Sequence, residues 1–260
     1  MHARTLGRPL LRLAACLSAA ALAAACDDPK PSSTGPTGSG TASAQPATPA
    51  EPPRPKVMPE LLVDSMGPYL GGRRVDLKAQ DSADRLAKVV RELPINGNPV
   101  TLLVDKKAKT PDVAAVVTEL GAAGAPKVTL KTDGRDDLPK EILVTPEGGV
   151  SSPPACSVST MVLKDLSTAI WPFKGGMGKR QRKGLAGPDL SQTGEQLTKE
   201  IAACSGAIVF FSADEELPWE MAYNLAGTVL KADEKKKIDT LVLLRSTPVA
   251  GRSIKLGQGS

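Results

Sequence analysis

Apolar side chains recur at Ala83, Leu86, Val89, Val90 and Leu93, the i, i+3, i+7 spacing of a helix with one core-facing side. Asp81 or Ser82 stands where it can cap the N-terminus of that helix. The pattern then changes to an unbroken run, Val100-Thr101-Leu102-Leu103-Val104, which predicts a buried strand. A second helix is predicted with Thr110 as N-cap and Pro111 at its first position, where a missing N–H costs nothing. It carries Val113, Val116, Val117 and Leu120 and stops near Gly124 and Pro126. Val128-Thr129-Leu130-Lys131 then predicts a strand that closes the unit.

The same order returns further along. Thr193 and Gln196 have capping-box spacing, and Leu197, Ile201 and Cys204 mark the inner face of the helix. Ala207-Ile208-Val209-Phe210-Phe211 reads as the central strand. A longer helix from Pro218 places Trp219, Ala222, Tyr223, Ala226, Val229 and Leu230 on one face, and Leu241-Val242-Leu243-Leu244 is the final strand. The central strands and the prolines Pro111 and Pro218 share one offset, while the helix faces slip by a residue or so. The pattern thus predicts two copies of one fold.

In each copy a strand, a helix and a strand follow directly. A right-handed crossover makes those strands parallel neighbours and puts both helices on one sheet face. Leu61-Leu62-Val63 with Arg73-Arg74-Val75, and Met161-Val162-Leu163 with Ala169-Ile170-Trp171, predict further strands. Residues 133–154, rich in Gly and Pro, join the copies and hold one short strand candidate, Ile142-Leu143-Val144. The expected fold is α+β: two tandem two-layer domains, each a small mixed sheet with two helices on one face. They are expected over residues 58–145 and 158–260, with a linker at 146–157.

The ends of the chain change this picture. Arg4, Arg8 and Arg12 form a positive n-region, and residues 13–25 are an Ala/Leu-rich stretch, too short for the ~20 apolar residues of a membrane span. It reads as a secretory h-region. Ala23-Ala24-Ala25 precede Cys26, and Asp27-Asp28 follow it. This resembles the lipobox of bacterial lipoproteins, with its usual leucine displaced by one place to Leu22. The expectation is a signal peptide over residues 1–25, with lipid attached at Cys26. Leu13-Ala14-Ala15-Cys16 matches the lipobox more closely, but cleavage there would leave no apolar stretch after Arg12. Ordinary cleavage after Ala25, leaving a free thiol, is the alternative. Residues 26–57 are mainly Pro, Ser, Thr, Gly and Ala and cannot bury enough surface to offset their ordering entropy. They form a tether with an r.m.s. span of about 30 Å if fully flexible.

Removing the signal takes away three arginines and no acid, so 30 basic residues face 28 acidic ones and the net charge falls from +5 to +2. Such a balance gives no general reason to expect nucleic acid. The single histidine, His2, leaves with the signal. That excludes Ser-His-Asp and Cys-His catalysis and any histidine-ligated metal site.

The run Pro99-Val100-Thr101-Leu102-Leu103-Val104-Asp105-Lys106-Lys107 resembles the periplasmic domain of the ExbD/TolR family. So do the following helix, from Asp112 to its Ala122-Ala123-Gly124 stop, and Lys127-Val128-Thr129-Leu130. Upstream, Leu62-Val63-Asp64 and Gly71-Gly72-Arg73-Arg74-Val75 fit the family's opening hairpin. The likeness covers residues 59–132, and the second copy shares it only through the first. It implies a periplasmic module that pairs with like domains in an inner-membrane transport system coupled to the proton gradient. The family's transmembrane helix and its aspartate are missing from the pattern, so proton coupling does not carry over.

The remaining candidate sites each have a plain alternative. Cys156 and Cys204 are either a disulfide of an oxidising compartment, closing a loop worth about 4 kcal/mol, or Cys204 is simply a buried helix residue. In residues 174–184, Gly178-Lys179 lacks the rest of a P-loop, because Phe173 stands at the first glycine and Arg180 at the magnesium-binding hydroxyl. Lys179, Arg180, Arg182 and Lys183 form either a basic loop for anionic headgroups or cell-wall polymer, or a solvated hairpin loop. Lys106, Lys107 and Lys109 precede one helix, and Asp214, Glu215 and Glu216 precede the other. Their opposite charge either sets register between copies or chains or is merely solvated.

No catalytic residue, cofactor or metal site stands out. The functional expectation is a non-catalytic, lipid-anchored lipoprotein on the periplasmic face of a bacterial envelope membrane. It would serve as scaffold for a Ton/Tol-type biopolymer transport assembly, contacting envelope proteins or other ExbD/TolR-like domains. A stand-alone periplasmic ligand- or peptidoglycan-binding lipoprotein is the alternative, with an uncharacterised hydrolase behind it. Either membrane could carry the anchor.

Overall fold

The structure is a computed structural model that describes residues 57–185 and 187–257; the signal, Cys26 and most of the tether lie outside these. The first half contains β1 (Leu61–Asp64), β2 (Gly67–Leu70), β3 (Arg73–Arg74), α1 (Ser82–Arg91), β4 (Val100–Val104), α2 (Thr110–Ala122), β5 (Val128–Lys131) and β6 (Glu141–Val144). After a 3-10 turn at Glu147–Gly149 come β7 (Val158–Val162), β8 (Thr168–Pro172), β9 (Lys179–Gln181), α3 (Leu190–Glu200), β10 (Ala207–Ala213), α4 (Trp219–Ala232) and β11 (Ile238–Leu243).

The expectation of two separate sheets is corrected. Among the described residues, eleven strands form one sheet in the order β3-β2-β1-β4-β5-β6-β11-β10-β7-β8-β9. From either edge inward the pattern is the same: two antiparallel pairings, then two parallel ones. The joint is β6, antiparallel to β5 and parallel to β11. The strand candidate Ile142-Leu143-Val144, expected within the first domain, is therefore a central strand that pairs with both halves. A single apolar cluster runs from Leu61 to Leu243 through both halves, and the described residues belong to one compact unit.

The helices form one layer, with α1 packed on α2, α2 on α4 and α4 on α3. Leu86 and Val90 of α1 are buried, but Ala83, expected on that face, is exposed. The other sheet face differs between the halves. Behind β10 and β11, Phe210, Val242 and Leu244 are covered by Val150, Phe173, Ile254 and Leu256. Burial on both faces explains the unbroken apolar run of β10. In the first half, Thr101 and Leu143 on that face remain exposed.

Local signals were met by unexpected residues. Arg73-Arg74 pairs with β2, not with β1, across a turn at Gly71-Gly72 whose φ values are +57° and +81°, as a two-residue hairpin loop of positive φ requires. Lys109, not Thr110, is the N-cap of α2. Thr193 lies inside α3, whose N-cap is Asp189, accepting from the Gln192 N–H at 3.1 Å. Asp81 precedes α1 but makes no capping bond; its carboxylate accepts from Arg85 Nε at 2.7 Å.

Candidate functional site

The loops before α2 and α4 are built alike. Asp105 N–H donates to Val63 O at 2.9 Å, and Asp214 N–H to Val162 O at 2.8 Å. The Asp105 carboxylate accepts from Lys107 N–H and that of Asp214 from Glu216 N–H, at 2.7 and 3.1 Å. These equivalences correct the offset that pairs Pro111 with Pro218, which is two residues too short. Lys109 and Pro218 become equivalent, and they bridge each other antiparallel, as positions flanking a two-fold axis must.

At this junction the halves are tied by backbone rather than charge. Trp219 N–H donates to Ala108 O at 2.7 Å, and Glu220 N–H to Lys106 O at 3.0 Å. No ion pair joins Lys106, Lys107 or Lys109 to Asp214, Glu215 or Glu216 among the described residues; Glu216 instead pairs with Lys164. That contact raises the Lys164 pKa above the ordinary lysine value, mainly through the hydrogen bond. Beneath the junction, Trp219 is fully buried and its indole N–H donates to Thr132 Oγ1 at 2.8 Å. Tyr223, also buried, donates its hydroxyl to Pro139 O at 3.0 Å. Burial pushes its pKa up to about 12.

Beside α4 lies a groove of about 950 Å³ between α3 with the loop before it, α4 and the segment that precedes β6. Its floor includes Gly194, Met221, Asn224 and Thr228, and its rim Arg135, Asp137, Lys199, Glu195 and Lys231. Arg135 binds Asp137 through two hydrogen bonds of 2.9 Å, and Lys231 Nζ reaches the Asp137 carbonyl at 3.2 Å. The hydrogen bond from Arg135, with help from Lys231, holds Asp137 below the ordinary carboxylate range. Asn224 is 7% exposed, and its Oδ1 is buried without a hydrogen-bond partner. A buried amide acceptor left unpaired costs about 1–3 kcal/mol; this one lies beneath the surface near Gly134. An ion-paired carboxylate, hydroxyls and an amide make a recognition surface.

Of the other predicted residues, Lys183 adjoins the groove through its bridge to Pro188, a lining residue. Cys156 and Cys204 are joined as a disulfide with Cα atoms 6.0 Å apart, tying the start of β7 to the α3–β10 loop. Lys179 and Arg180 belong to edge strand β9, where a flexible loop was expected, and Arg182 and Lys183 follow it. Sequence reasoning missed the groove. The one usable signal was Asn224, a polar residue inside the apolar stretch of α4.

Among the described residues no helix is long and apolar enough to cross a membrane, and no three His, Cys, Asp or Glu side chains are grouped to hold a metal ion. Comparison of the chain with protein-family models, with curated proteins and with solved structures finds no match.

Proposed function

We propose that this chain is a lipid-anchored periplasmic lipoprotein whose folded part is a fused pair of ExbD/TolR-like domains, acting as a non-catalytic scaffold for a Ton/Tol-type assembly. One observation carries the reading: two halves of like strand order meet edge to edge, with the equivalent Lys109 and Pro218 in contact at the centre. The resembled family pairs separate periplasmic domains, and here the pair is covalent. Because β5, β6 and β11 are consumed in the joint, partners must use the helix layer, the open sheet face or the outer edges. Cys26 supplies the membrane attachment in this reading, in place of the family's transmembrane helix.

The test is photo-cross-linking in the native cell from a reactive residue at Glu195 on the groove rim, followed by mass spectrometry. Covalent capture of a Ton/Tol-type component is the expected result. Capture of peptidoglycan fragments alone, or of nothing, overturns the scaffold reading. A second reading, a stand-alone ligand- or peptidoglycan-binding lipoprotein, is favoured by the groove, whose lining includes Asn224. In that case Asn224→Leu abolishes ligand capture without unfolding the chain.

A further inference from the structure

The two free edges of the sheet are both basic, yet they are not alike. At β3, Arg73 is held by Glu92, and Arg74 by Asp64 at 2.7 Å. At β9, Arg180 is held by Asp165 and by Ser167 Oγ at 2.9 Å. Lys174, Lys179, Arg182 and Lys183 have no ion-pair partner among the described residues. Residues 174–183 carry five basic side chains and no acid, and the C-terminal segment adds Arg252 and Lys255; Lys164 is paired with Glu216, and Arg245 lies beside Glu147 at the centre of the sheet. A chain whose net charge without its signal is only +2 thus sets a run of unpaired cations at one edge of its sheet.

The two basic segments are laced together. Gly176 N–H donates to Gly251 O at 2.9 Å, Ile254 N–H to Phe173 O at 3.0 Å, and Trp171 Nε1–H to Arg252 O at 2.8 Å. On this same end Met177 is 91% exposed and Val249 59%. Protection of a sheet edge from pairing needs only charge; it gives no reason to project a methionine into water. Unpaired cations around exposed apolar tips are what a headgroup layer with acyl chains beneath it accommodates.

We propose that the β8–β9 edge and the laced C-terminal segment form a contact surface for a bilayer rich in anionic phospholipid. This goes beyond the scaffold reading and does not depend on lipid at Cys26. Val57 lies with Leu70, Gly71 and Arg73 at the opposite edge, ten strand spacings or about 48 Å away. The proposed surface thus lies at the end of the sheet far from where the described residues begin.

The experiment uses the chain from residue 26 with Cys26→Ser, which takes no lipid, and co-sedimentation with vesicles. Binding is expected to vesicles of one part phosphatidylglycerol to two of phosphatidylcholine, weakening with salt, and not to pure phosphatidylcholine. The triple substitution Lys179→Ala, Arg182→Ala and Lys183→Ala should lower partitioning about 100-fold, near fivefold per charge. Met177→Ser should lower it several-fold. Circular dichroism melting checks that these exposed substitutions leave the fold intact. No binding, equal binding to neutral vesicles, or a triple variant that binds like the parent overturns the proposal. So does charge-dependent binding that ignores Met177→Ser and is competed equally by soluble heparin, which would assign the patch to a polyanionic polymer. None of these outcomes bears on the Ton/Tol reading, whose cross-linking test uses the groove.

Discussion

Replacing Trp219 by Phe tests whether the halves form one cooperative structure. Trp219 begins α4 in the second half, is fully buried, and donates its indole N–H to Thr132 Oγ1 in the first half at 2.8 Å. Phe keeps most of the ring volume but removes the donor. The lost volume, about 40 Å³, costs roughly 1 kcal/mol at 24 cal/mol per Å³ of cavity. Thr132 is itself only 4% exposed, so orphaning its hydroxyl adds about 1–2 kcal/mol. With a urea slope of about 2–3 kcal/mol/M, a total near 2–3 kcal/mol lowers the midpoint by roughly 1 M. Thr132→Val strands the indole N–H instead, and the double variant should recover about 1 kcal/mol of coupling. Far-ultraviolet circular dichroism in urea measures all four proteins. A single transition that shifts as a whole is expected, because one apolar cluster spans both halves. Two transitions with only one displaced, or a coupling under about 0.3 kcal/mol, would refute the shared core.

Three further outcomes follow from the structure. Cys156→Ala with Cys204→Ala should cost about 4 kcal/mol through lost loop closure, and thiol titration of the unreduced Cys26→Ser chain should find neither sulfur free; two reactive thiols would contradict the bridge. In a Tyr69→Phe background the absorbance at 295 nm should titrate near pH 12, since burial raises Tyr223 to about 12. Because that folded value lies above the unfolded value of about 10, the contribution is complete below pH 10 and declines as pH rises towards 12; a midpoint near 10 would contradict the burial. Gly121→Ala should destabilise the protein despite a helix-propensity gain of about 1 kcal/mol, because the new Cβ would stand 2.3 Å from Pro146 Cβ. A neutral or raised urea midpoint would show that the turn after β6 yields freely.

Several elements were legible because their signals are local. The run of β4, the face of α2 and the stop at Gly124, where φ is +96°, need only periodicity and backbone preference. Others were ambiguous. Asp189 and Gln192 have the same spacing as Thr193 and Gln196, so the start of α3 could not be chosen from spacing. The choice follows from burial: Thr193 Oγ1 is 2.7 Å from Thr168 Oγ1 on β8 and donates to Asp189 O at 2.6 Å. Strand β2 was hidden by Gly67 and Pro68, and β9 by having no apolar residue at all. Their strand state comes from pairing with β1 and β8.

The groove was not legible, since its walls come from residues 135–138, α3 and α4, brought together only by packing.

By itself the sequence determined the kinds of element, their repeated order and the parallel neighbours β4 with β5 and β10 with β11, because these depend on short-range patterns and crossover handedness. The expected signal peptide and the lipid at Cys26 fall outside the described residues. Only the tertiary structure decided that the repeats share one sheet. The strand Ile142-Leu143-Val144 reads the same whether it ends a domain or bridges two; its pairing with β5 is nearby in the chain, but its pairing with β11 joins Val144 to Leu241, about a hundred residues on. No local pattern encodes which edge a strand will meet, and that meeting set a short strand candidate at the centre of one sheet.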